Sequence, residues 1–149
     1  MELVLQRADD AAIPVPAHEE FVQWINAVTN EFEIPHRDVC IRIVNDAEMR
    51  DLNGRYRNKS TSTNVLSFRA DFDPEIQQFS LGDIILCADV VENESRRDRK
   101  ALQDHWAHLT IHGTLHLLGF DHETDQDAFE MESLEREILA GLSIADPYR

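Results

Sequence analysis

Apolar residues recur along this chain with two periods, and each change of period marks an element. LVLQ near the start, VCIRIV at 39–44, VLSF at 65–68 and DIILCADVV at 83–91 combine β-branched enrichment with partial alternation, which predicts four strands. Between the first two, EEFVQWINAVTNEF sets Phe21, Trp24, Ile25, Val28 and Phe32 three and four apart, the spacing of one helical face, and Ile34 with Pro35 ends that helix. A second helix follows Asp46 and includes Met49 and Leu52. From Glu92 to Leu118 good helix formers run without a proline, and Leu102, Trp106 and Leu109 supply an apolar stripe. This predicts one long helix, with Gly119 as its stop. After the DHET turn, DAFEMESLEREILAGL reads as an acidic amphipathic last helix. The order β-α-β-α-β-β-α-α points to an α+β or α/β layer fold. No repeat, low-complexity tract or Pro/Gly-rich linker divides residues 1–149, so a single domain is expected.

Composition agrees with that expectation. The chain is 42% apolar and 29% charged, near the values of globular proteins, and 149 residues are enough to enclose one core. No apolar run approaches the 18 residues of a membrane span, and MELVLQRADD lacks the basic and apolar regions of a signal peptide, so a cytoplasmic protein without membrane association is expected. Cys40 and Cys87 sit in apolar runs and form no CxxC pair, which predicts reduced core thiols.

A net charge of −15 opposes indiscriminate coating of nucleic acid, because the summed field repels a polyanion. The distribution changes the picture. Residues 53–69 carry Arg55, Arg57, Lys59 and Arg69 with no acid, whereas residues 101–149 carry ten acids and two bases. An anionic ligand would approach the first segment, unless these bases form only a solvated face.

The candidate chemistry lies in His112-GTL-His116-LL-Gly119-FD-His122. The first two histidines stand four apart on one helical face and can share a metal. A third ligand from beyond the helix requires a sharp turn, for which Gly119 tolerates left-handed backbone angles. Three imidazoles favour zinc over the oxygen-seeking calcium and magnesium, though nickel, copper or cobalt could also occupy the site, and they leave a fourth position open, as in catalytic sites. The spacing is that of HExxHxxGxxH metalloproteases, but Gly113 stands where their catalytic Glu would be, so the protease base is missing. A small residue there also suggests room for a phosphate at the metal face. Asp121 either orients an imidazole, serves as an acid or caps the turn. His105 and His108 read as surface or metal-supporting groups, and His18 and His36 as surface residues.

HGTLHLLGFDH resembles the HGxLHLxGYDH signature of the YbeY family of metal-dependent endoribonucleases, with Phe120 in place of Tyr. LNGRYRNKSTSTNVLSF at 52–68 resembles that family's LNxxYRxKDxPTDVLSF, departing at Ser60, Ser62 and Asn64, and SLGDIILC at 80–87 resembles its LGDIxI strand. The three ordered blocks cover about a quarter of the chain.

The resemblance implies an α+β fold, with a roughly four-stranded mixed sheet packed by helices and a zincin-like histidine helix. It implies one zinc held by His112, His116 and His122, with His116 and Arg57 catalytic and Arg55, Arg57 and Lys59 binding substrate. Arg57 matches the family's functionally important arginine, and a guanidinium beside zinc could hold a phosphodiester by two hydrogen bonds. The expected substrate is single-stranded ribosomal RNA, cut in small-subunit rRNA 3′-end maturation and ribosome quality control, with the ribosome as partner. The rival readings are a zinc metalloprotease-like hydrolase and a ribosome-assembly factor that binds without cutting.

Overall fold

The computed structural model describes residues 2–8, 13–34, 38–59, 61–70 and 80–148. Pro35, expected to end the first helix, His36, expected at the surface, and Ser60 lie outside them. The elements run β1 (Leu3–Arg7), α1 (His18–Glu31), β2 (Asp38–Val44), α2 (Asp46–Arg57), β3 (Val65–Arg69), β4 (Ser80–Cys87), α3 (Ala88–Arg97), α4 (Leu102–Leu117) and α5 (Asp125–Gly141).

One four-stranded sheet has the order β1-β2-β4-β3. β1 and β4 pair parallel to β2, while β3 pairs antiparallel to β4, so the sheet is mixed. Alternation splits β2, β3 and β4 between two cores, while β1 contributes only to the larger. Val39, Ile41, Ile43, Ile84 and Leu86 join Phe21, Ile25, Trp106, Ile111, Met131 and Leu139 under α1, α4 and α5. Val44, Ile85, Cys87 and Leu66 pack with Met49 in a smaller cluster on the other face. β4 is therefore apolar on both sides, which is why its sequence reads as a continuous apolar run. α4 crosses the sheet over β3 and β4 and carries the histidines to the edge strand.

Two boundaries differ from the expectation. The apolar run 83–91 is strand only to Cys87, after which Ala88, Val91 and Ser95, spaced three and four apart, become the buried face of α3. The long helix expected from Glu92 to Leu118 is broken between Arg97 and Leu102. Arg99 takes φ +54°, and the Lys100 N–H reaches back to Ser95 O at 2.9 Å, a helix end of the kind usually built on glycine. Nothing in the local composition announces it.

Both cysteines are free thiols, with Cys87 buried and Cys40 half-buried; in register Cys40 lies opposite Asp83 and Cys87 opposite Val44. Among the described residues, no helix is long and apolar enough to cross a membrane.

Candidate metal centre

His112 and His116 sit one turn apart near the end of α4, each half-buried, with their Nε2 atoms 3.1 Å apart. Gly119, at φ +100°, ends the helix: its N–H bonds His116 O at 3.0 Å, and the Phe120 N–H bonds Leu115 O at 3.1 Å. Phe120 then turns inward against Phe32, with ring centroids 5.3 Å apart. The chain doubles back, and the His122 ring comes to 5.6 Å from that of His112 and 5.1 Å from that of His116. Asp121 Oδ1 accepts the His122 backbone N–H at 2.7 Å, whereas the ring Nδ1 stands 3.8 Å away. Asp121 thus bonds the backbone of the turn and stands within ion-pair distance of the His122 ring.

One ring nitrogen from each histidine lies within 4.8 Å of the other two. Two nitrogens each 2.0–2.1 Å from a tetrahedral zinc would stand about 3.3 Å apart, so the observed 3.1 Å pair fits one shared ion. Burial, with the neighbouring His112 and His122 rings, holds the His116 imidazole down at about 4, so at neutral pH it offers a free lone pair.

Behind this cluster lies a residue the sequence reading missed. Glu135 of α5 is fully buried, and its Oε1 faces His112 Nδ1 at 3.2 Å, His108 Nε2 at 2.6 Å and the Tyr148 hydroxyl at 2.8 Å. Burial pushes the Glu135 carboxyl up, but the hydrogen bonds from His108 and His112 outweigh it and hold the group down at about 2. Burial holds His108 neutral despite the carboxylate, so its Nε2 carries the proton and donates. A carboxylate on Nδ1 of His112 fixes the tautomer that presents Nε2 to the metal. The available signal was an acid on an apolar stripe, since Met131, Ile138 and Leu139 flank Glu135 at four, three and four residues and are all buried.

His105 and His108 are thus not surface groups, being 6% and 9% exposed. His108 supports the cluster through Glu135, while His105 Nε2 lies 2.9 Å from Glu94, away from the three ligands. His18 is exposed as expected, with its Nε2 2.8 Å from Leu3 O.

The three histidines line a cleft of about 570 Å³ together with Arg57, Lys59 and Arg69. α2 ends at Asn58 in the left-handed conformation, and the buried Asn53 side chain donates to Thr61 O at 2.7 Å, folding the following loop across the floor. Asn64 Nδ2 donates to Glu94 at 3.0 Å, a bond that an ionised Asp at this position could not make, so that departure from the resembled block is locally compensated. Arg57 Nη2 approaches Ser67 O at 3.5 Å on the outermost strand. Arg55 does not line the cleft; it is exposed and pairs with Asp51 at 3.2 Å.

Gly113 does not face the metal. A Cβ there would lie 3.0 Å from Ile84 Cγ2 and 3.1 Å from Ser67 Oγ, so the glycine faces β4 and β3. Ser67 Oγ donates to Gly113 O at 3.0 Å, binding helix and sheet together at this close approach. The expected room for a phosphate at this position is therefore corrected, because one step along a helix turns a side chain by about 100° away from its neighbour.

A histidine helix closed by a third imidazole beyond a glycine turn, in a cleft that Arg57, Lys59 and Arg69 also line, defines a zincin-like metal-centre scaffold. The family described as Endoribonuclease YbeY matches residues 4–143, nearly the whole chain. The chain belongs to this endoribonuclease family. Its fold is also similar to the solution structure of TM1509 from Thermotoga maritima, with a TM-score of 0.56 over 98% of this chain and 99% of that one, at 20% identity.

Proposed function

We propose that this protein is a cytoplasmic zinc-dependent endoribonuclease that cuts single-stranded ribosomal RNA, acting in small-subunit rRNA 3′-end maturation and ribosome quality control. The observation that carries this reading is the meeting, in one cleft, of three metal-competent imidazoles with Arg57, Lys59 and Arg69, in a chain of an endoribonuclease family. Zinc bound by His112, His116 and His122 would supply a Lewis acid or a hydroxide at its open position.

The chain's own residues supply the rest. Arg57, which lines the same cleft as the imidazoles, offers a planar donor fork that can hold phosphoryl oxygens and meet the charge that develops on them. Lys59 adds a point charge at the cleft rim. The threonines and Ser62 of the floor offer hydroxyls without charge, suited to ribose and phosphate edges. Proteins that read RNA sequence mostly target unpaired strands, which supports the single-strand preference.

Peptide hydrolysis by the metalloprotease route lacks its base. Gly113 faces the sheet, and the buried Glu135 stands behind His112, away from the cleft. The test is cleavage of a single-stranded ribosomal RNA fragment, its duplex and an unstructured peptide by the zinc-loaded protein. Cleavage confined to the single strand is expected; an intact RNA across metals and salt, or peptide cleavage that tracks zinc, overturns the proposal.

A further inference from the structure

Glu135 Oε1 collects three donors, and only one of them, His112, belongs to the candidate ligand set. Tyr148 lies in the segment after α5, 40% exposed, and reaches inward to the fully buried carboxylate. Its placement is not incidental to that one bond. Asp146 Oδ1 accepts the Tyr148 backbone N–H at 2.8 Å and also faces Arg136 Nε at 3.2 Å. Lys100 Nζ donates to Pro147 O at 2.7 Å, the Arg136 guanidinium lies 5.2 Å from the tyrosine ring centroid, and that ring meets His108 edge-on.

We propose that Tyr148 and His108 are positioning residues for the metal centre: through Glu135 they hold the His112 ring, so that the segment following α5 helps to set metal affinity. This rests on the zinc centre of the proposed function but not on any reaction at it.

The direction of the effect follows from the distances. Glu135 Oε1 lies closer to His108, at 2.6 Å, than to His112, at 3.2 Å. Tyr148, at 2.8 Å, is the third anchor on that oxygen. Without the phenol the carboxylate is free to turn toward its nearer partner, and the longer bond to His112 is the one lost. The imidazole then loses its fixed tautomer and orientation, which costs affinity at the metal without removing a ligand.

The test is zinc affinity of the full chain, measured by competition with a chromophoric chelator, for wild type, Tyr148→Phe and Glu135→Gln. The visible spectrum of each cobalt-loaded protein and the urea midpoint of each metal-free one are measured alongside. Tyr148→Phe is expected to lower the metal-free urea midpoint modestly, through the lost hydrogen bond to a buried carboxylate, to weaken zinc severalfold and to alter the cobalt absorption bands. Glu135→Gln is expected to weaken zinc about 10- to 100-fold. Wild-type affinity and an unchanged cobalt spectrum in Tyr148→Phe overturn the role of the segment after α5, and the same result in Glu135→Gln overturns the whole chain of contacts. A wild type that takes up no zinc removes the metal centre itself, a different outcome from a wild type that binds while its variants match it.

Discussion

Gly113 offers the sharpest separation between two placements of one residue, at the metal face or against the sheet. A Cβ added there meets Ile84 Cγ2 at 3.0 Å, Ser67 Oγ at 3.1 Å and Val65 Cγ2 at 3.4 Å, so a methyl fits only if these neighbours give by a few tenths of an ångström. Overpacking of this kind costs about 1–3 kcal/mol. The better helix propensity of alanine returns about 1 kcal/mol. Gly113→Ala should therefore be destabilised by about 1 kcal/mol, which at a urea slope of about 2 kcal/mol/M lowers the midpoint by about 0.5 M. Gly113→Glu places an unpaired carboxylate in the helix–sheet seam, where a buried charge without a partner costs about 3–5 kcal/mol, a large part of a total stability of about 5–15 kcal/mol. The assay is urea unfolding of the metal-free proteins followed by far-UV circular dichroism. A Gly113→Glu variant that unfolds at the wild-type midpoint, whether or not it cuts RNA, would refute the sheet-facing placement and return the residue to the cleft.

Other outcomes follow from the same geometry. His116→Ala should lose most bound zinc while keeping its helical circular dichroism, which elemental analysis beside a spectrum checks, since it removes one of three converging nitrogens. Arg57→Lys should keep zinc but lose about 100-fold in RNA turnover, as for one preorganised donor, read by kcat and KM together. Lys59→Ala should weaken RNA binding mildly and lower its salt slope by about one, whereas Arg55→Ala, which removes a side chain outside the cleft, should leave both unchanged in a salt titration of affinity. The metal-free protein should lose stability steadily as pH falls from 6.5 toward 2. His116 drops from 6.5 to about 4 and Glu135 from 4.5 to about 2 on folding, so the unfolded chain binds more protons across both windows; urea midpoints that rise on acidification would contradict this.

Much of this architecture is legible from residue pattern because the pattern is the cause. Alternation in VCIRIV divides β2 between two cores, and the three-four spacing from Phe21 to Val28 is the buried face of α1. The three histidines are legible because their convergence depends on a local turn, with Gly119 marking it. What escaped depends on contacts distant in sequence. The break at Arg99, in the left-handed conformation, falls where no glycine or proline marks it. Asp and Glu are common in α5, so the one that matters, Glu135, differs from the others only in lying on the apolar face. Its partners His108 and Tyr148 are 27 and 13 residues away. Arg55 and Arg57 are alike in composition and two apart in sequence, but on a helix that spacing turns them to different sides, and only Arg57 reaches the cleft.

The central claim, that zinc on three histidines drives cleavage of single-stranded RNA, is tested most directly by titrating metal-free protein with zinc while following cleavage of a small-subunit rRNA 3′-end fragment. The account predicts that cleavage rises in proportion to zinc, breaks at one ion per chain and is absent from His116→Ala throughout the titration. Equal cleavage by the chelated and the zinc-loaded protein, or stoichiometric zinc binding with the RNA left intact, would contradict it.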